Sequence, residues 1–125
     1  MEQNNFNEIF KCISEHLPNN WKKLALYFLF SGNMTSRKFY VDNGQGYVDC
    51  SNMGYEKTIL RQIFYQIEDI LYDERNKLPK KDQWSVFTMF VKKSGEFDVK
   101  YEYGDFSETF VEHQTNWEKE NIYKK

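Results

Sequence analysis

At 125 residues, 40% of them apolar and 18% aromatic, with 11 Phe, 9 Tyr and 3 Trp, the chain has the size and core material of one domain spanning 1–125, and intrinsic disorder is not expected. No stretch approaches the roughly 18 apolar residues of a membrane span, and Met1-Glu2-Gln3-Asn4-Asn5 does not open as a signal peptide, so a cytoplasmic protein with no membrane partner is expected. The net charge of −2 is unevenly spread: from Glu96 to Glu120 eight carboxylates stand against Lys100 and Lys119, a local −6 that leaves the rest at +4, which disfavours phosphate-backbone binding there and favours a basic partner.

Phe6, Ile9, Phe10, Ile13 and Leu17 fall at helical spacing and predict an amphipathic helix over 5–17, stopped by Pro18. Trp21 to Phe30 reads as a strand buried on much of both faces, hence a central or well-covered one. The turn at Ser31-Gly32-Asn33, a strand over 37–42, the turn at Asn43-Gly44-Gln45-Gly46 and a strand over 47–50 make an antiparallel meander. Ile59, Leu60, Ile63, Phe64, Ile67, Ile70 and Leu71 then predict a long helix over 55–77, with Arg75 and Lys77 against its negative end and Pro79 beyond it. A hairpin follows, 84–92 and 97–103, in which Phe97, Val99, Tyr101 and Tyr103 alternate with polar residues. Ser107 is the expected cap of a last helix with Glu108 in its first turn and Phe110, Val111 and Trp117 as its apolar side. The fold class is thus α+β, an antiparallel five-stranded sheet in the order α-β-β-β-α-β-β-α with helices mainly on one face, the other partly open.

Few residues suggest chemistry. His16 and His113 stand at no recognisable spacing from a serine, cysteine or carboxylate; Cys12 and His16, one helical turn apart, could face one another, but a thiolate nucleophile wants the mouth of a cleft, and a structural role is expected. Cys12 and Cys50 form no CxxC and read as reduced thiols. Gly44 and Gly46 belong to no phosphate-binding motif. Asp42 and Asp49 flank a turn where a cation could sit, but two carboxylates at a hairpin read as solvated edge residues, and neither metal nor cofactor is expected. Arg37, Lys38, Lys80 and Lys81, with exposed-looking Phe39, Tyr40 and Trp84, form a mixture suited to single-stranded nucleic acid, but core demand and ordinary solubility explain the same residues.

Acidity beside aromatic residues stands out. Asp98, Glu102, Tyr103, Asp105, Glu108 and Glu112, and separately Glu68, Asp69 and Asp73 late in the long helix, combine long-range attraction to a cationic surface with contact area. These nine are the candidate binding residues, chosen on charge; a solvated acidic rim is the competing reading. A nuclease active site is one cationic surface such a rim could fill.

Leu17-Pro18-Asn19-Asn20-Trp21-Lys22-Lys23 after the first helix, the aromatic strand that follows, Ile67-Glu68-Asp69-Ile70-Leu71-Tyr72-Asp73-Glu74, Trp84-Ser85-Val86-Phe87-Thr88 and Gly95 to Tyr103 together resemble the YezG-like family of bacterial immunity proteins over nearly the whole chain. The resemblance implies an α+β antitoxin that binds its cognate toxin, in several systems a nuclease, in the producing cell's cytoplasm and has no chemistry of its own. It carries over no binding residue by motif. Two other classes remain: a nucleic-acid-binding or regulatory module using the aromatic and basic sheet face, and an enzyme with a small-molecule pocket in the sheet. Under the leading reading the partner is a toxin with a basic surface, and no nucleic acid is bound.

Overall fold

The computed structural model describes residues 3–123. Its elements run α1 (Gln3–Ser14), β1 (Lys23–Ser31), β2 (Met34–Asp42), β3 (Tyr47–Asp49), α2 (Lys57–Asn76), β4 (Val86–Lys92), β5 (Phe97–Glu102) and α3 (Phe110–Asn121), with short 3-10 turns at Cys50–Asn52 and Lys80–Asp82. This is the α+β order read from the sequence, and the five strands form one antiparallel sheet in the order β3-β2-β1-β4-β5. The chain divides into two compact units, one built from residues up to Asn19 and from Gly54–Gln83, the other from Asn20–Met53 and from Trp84 onward.

In the first unit α1 and α2 are paired helices. Ile9 and Ile13 of α1 and Ile63, Ile67 and Leu71 of α2 are fully buried, and Asn5 Nδ2 donates to Glu74 Oε1 at 2.6 Å. The first helix ends at Ser14, three residues before the expected Leu17. Pro18 disfavours helical geometry at Leu17, and the chain tightens there into three-residue bonds, His16 N–H to the Ile13 carbonyl and Leu17 N–H to that of Ser14. Tyr55 Oη donates to the His16 carbonyl at 2.6 Å and ties this turn to the start of α2.

In the second unit β1 is central, and eight of its nine residues are buried. Alternation sends Ala25, Tyr27 and Leu29 to one face, where Tyr40 and Val86 join them and Trp117 and Ile122 of α3 complete a core. The alternate residues Leu24, Leu26, Phe28, Phe39 and Phe87 are buried just as fully, so these strands carry apolar side chains on both faces, as central strands do. Phe39, Tyr40 and Trp84, which looked exposed in sequence, are 0%, 0% and 3% exposed. The β1–β2 turn needs only Gly32 and Asn33 between the paired Ser31 and Met34. Gly32 there adopts φ +59°, open to glycine at little cost.

Two expectations for the last helix are corrected. It begins at Phe110 after Thr109, which makes no side-chain cap bond. Ser107 caps nothing, because its N–H and hydroxyl both donate to Asp105 Oδ1, at 2.9 and 2.6 Å. That Asx-type turn competes with helix initiation, leaving Glu108 ahead of the helix and Glu112 in its first turn. Val111 is 64% exposed rather than core-facing.

Candidate partner-binding surface

The acidic stretch forms a turn hydrogen-bonded to the strands beneath it. Glu102 ends β5, Glu112 lies in the first turn of α3, and Tyr103 to Thr109 join them. Two nearly buried serines anchor this connection. Ser31 Oγ accepts from Phe106 N–H at 2.8 Å and donates to Asp105 Oδ1 at 3.3 Å; Ser85 Oγ donates to the Gly104 carbonyl. Phe106 and Phe110 pack against the core under α3. What remains outside is acidic with apolar side chains: Glu102, Asp105, Glu108 and Glu112 are exposed, and Tyr103 and Val111 are exposed to 60% and 64%. The Ser107 bonds hold the Asp105 carboxyl below the usual range, so it stays charged.

A chain of polar contacts runs from the core to this surface. Tyr27 Oη lies 2.7 Å from His113 Nδ1, and His113 Nε2 lies 2.9 Å from Glu102 Oε1. A carboxylate only accepts, so Nε2 carries hydrogen and Nδ1 is left to accept from the phenol. Burial, then the charges of Glu102 and Glu118, push the Tyr27 phenol well above its usual range, so it remains a donor. The imidazole also packs against Phe106, with ring centres 4.7 Å apart. Sequence spacing found no partner for His113; the fold supplies two. A usable signal existed: Phe110, His113 and Trp117 lie on one helical stripe, and a histidine one turn from a buried tryptophan faces inward.

The rest of α3 is fixed over β2 by Tyr40 Oη donating to Glu118 at 2.8 Å and by Ser36 Oγ donating to Gln114. Asp98, Lys100 and Glu102 of β5 stay exposed, whereas Thr88 of β4 beside them is only 2% exposed. Between β4–β5 and α3 lies a cleft of about 440 Å³, lined among others by Thr88, Phe90, Lys100, Glu102, Trp117 and Glu120. Sequence reading did not single out this cleft, because it depends on where α3 crosses the sheet.

The nine charge-based candidates therefore divide. Glu102, Tyr103, Asp105, Glu108 and Glu112 share the anchored turn and its two ends; Asp98 is further along β5, about 13 Å at four residues' rise. Glu68, Asp69 and Asp73 belong to the other unit. Of these Glu68 is only 6% exposed, because it falls on the stripe of Phe64, Ile67 and Leu71, and it offers little surface to a partner. Asp69 is exposed, and Asp73 pairs with Lys77 at 3.4 Å.

The other chemistry considered dissolves locally. Asp42 Oδ1 accepts from the N–H groups of Gly44 and Gly46. Asp49 is taken by Lys38 at 2.7 Å and by Ser51. Burial opposes ionisation of Asp49, but those bonds outweigh it and lower its pKa. Among the described residues no group of three or more His, Cys, Asp or Glu is gathered for a metal ion. Cys12 Sγ donates to the Glu8 carbonyl at 3.2 Å, and burial raises its pKa, the opposite of nucleophile activation. Phe39 and Tyr40 lie on opposite faces of β2 and, like Trp84, are buried, so these three offer no stacking surface to a single-stranded nucleic acid. No described helix is long and apolar enough to cross a membrane.

No curated protein matches the chain. The profile of one family, described as immunity protein YezG-like, matches residues 3–125, the span that carries both units, the sheet and the anchored turn. With nearly the whole chain matched, this protein belongs to the YezG-like family of immunity proteins.

Proposed function

We propose that the protein neutralises a nuclease toxin in the cytoplasm of the producing cell by laying the acidic turn Glu102–Glu112 over the toxin's basic, phosphate-binding active site, without catalysis of its own. Family membership supports immunity through toxin binding. The observation that carries the finer reading is the turn itself: four exposed carboxylates and the exposed Tyr103 and Val111, pinned by Ser31 and Ser85. Carboxylates steer a cationic partner over a long range, and Asp105 and Glu102, already bonded to Ser107 and His113, lose little entropy on docking, while Tyr103 contributes desolvated contact area.

Co-expression tests the reading. A strain carrying the toxin domain of its genetic neighbour should grow when this protein is produced and show intact nucleic acid. Arrested growth in the presence of abundant soluble protein excludes neutralisation; rescue of a toxin that does not cut nucleic acid excludes the nuclease assignment.

A further inference from the structure

We propose that the cleft between β4–β5 and α3 is a receptor for one arginine side chain of the toxin, a second contact point beside the acidic turn; this rests on the toxin-binding reading above. Its floor is aromatic: Phe90 lies nearly parallel to Trp117, with ring centres 6.2 Å apart and planes 12° from parallel. Trp117 is braced from behind by Tyr27 and Tyr40, at 4.8 and 5.6 Å, so the wall does not have to be ordered on binding. Its rim is charged. Glu102 comes from β5 and Glu120 from α3, and Glu120 has no hydrogen-bond or ion-pair partner among the described residues.

These features match a guanidinium. A planar cation packs against aromatic rings while its N–H fork reaches carboxylates, and it is less strongly hydrated than an ammonium, so it enters such a site more readily. Glu102 keeps a second oxygen for it, since only Oε1 meets His113. Lys100 is the one cation on the lining. It projects from β5 on the same face as Asp98 and Glu102, each two residues away, so its charge is flanked by two carboxylates and the local field stays negative. At about 440 Å³ the cleft accommodates a long side chain, and β5, hydrogen-bonded only to β4, leaves an open sheet edge along which the partner segment can lie.

Lys100 and Glu120 make the proposal decisive, because a cationic and an anionic occupant respond to them in opposite directions. The full-length protein is titrated with N-acetyl-arginine amide, and in parallel with N-acetyl-lysine amide and N-acetyl-glutamine amide, following the Trp117 indole and the Thr88 and Lys100 amides by NMR. The arginine probe is expected to shift these signals at the lowest concentration. Glu120→Gln should weaken it about tenfold, the scale of one charge-assisted contact, and Lys100→Gln should tighten it. In the neutralisation assay Glu120→Gln is expected to require more antitoxin for rescue, with thermal unfolding unchanged. Shifts scattered over the acidic surface, equal response to the three probes, or tighter binding by Glu120→Gln overturns the proposal. Full rescue by Glu120→Gln at wild-type dose overturns the cleft as the toxin's contact while leaving immunity intact, whereas failure of the wild-type protein to rescue refutes the broader reading.

Discussion

Tyr27, in the middle of the central strand, and His113, on the last helix 86 residues later, meet at 2.7 Å. Through His113 the fully buried phenol is connected to Glu102 at the protein surface. This contact fixes the start of α3 against β1 and holds the proposed toxin-facing turn between the end of β5 and the first helical turn.

Breaking it is expected to cost stability unequally. Tyr27→Phe removes one donor and leaves Nδ1 without its partner, for a loss of about 1–2 kcal/mol. His113→Ala removes the ring packed on Phe106 as well and is expected to cost about 2–3 kcal/mol, read by urea denaturation. A smaller loss for His113→Ala than for Tyr27→Phe would contradict the arrangement.

The serine anchors give a second test. Ser85→Ala frees the Gly104 carbonyl and should destabilise by about 1 kcal/mol. In hydrogen exchange its effect should concentrate in 103–109. Gly32→Ala is expected to be worse, about 1–2 kcal/mol, since φ there is +59° and the added methyl would lie 3.3 Å from Ser107 Cβ.

Acid sensitivity should trace partly to Asp49. Its folded pKa lies below the ordinary 3.8, so the stability it contributes is fully present above about pH 4 and is lost as pH falls through the folded value. Asp49→Asn should therefore be less stable than the wild type at pH 6, with the difference shrinking below pH 4. A difference constant from pH 6 to pH 2.5 would show that the Lys38–Asp49 pair is not its source.

Cys50, 3% exposed, has its thiol pushed up to about 11, chiefly by burial. At pH 7.5 it should resist iodoacetamide in the native state and react after denaturation, as mass spectrometry would report. Rapid native labelling would mean that the 3-10 turn at Cys50–Asn52 opens readily.

Charge reversal locates the interface. Asp105, Glu108 and Glu112 changed together to Lys should slow toxin association by about tenfold or more at low salt and flatten its salt dependence. The same change at Asp69 and Asp73 should have the smaller effect. The reverse ranking, measured by surface-immobilised kinetics, would move the toxin contact to α2.

Local pattern carried the architecture. The apolar periods of α1 and α2, the run from Leu24 to Phe30, and the turn residues at Gly32 and Gly44–Gly46 each specify an element through neighbours a few residues away, and the element order followed. Boundaries slipped where other bonds take the backbone: α1 closed early in three-residue bonds at His16 and Leu17, and Asp105 captured Ser107 before it could cap α3.

The acidic stretch was equally legible, since charge is a property of composition. The anchoring was not: Ser31 and Ser85 look like ordinary polar residues, and their role arises because β1 and β4 carry them under the turn. Phe39, Tyr40 and Trp84 show the converse, aromatic residues beside basic ones whose exposure burial alone decides. The sequence by itself determined the elements, their order and the acidic character of the C-terminal third, because those depend on short-range periodicity and summed charge. Only the tertiary structure decided that Glu68 is buried, that His113 joins Tyr27 to Glu102, and that Phe90, Trp117 and Glu120 share a cleft, because each brings together or hides groups far apart along the chain.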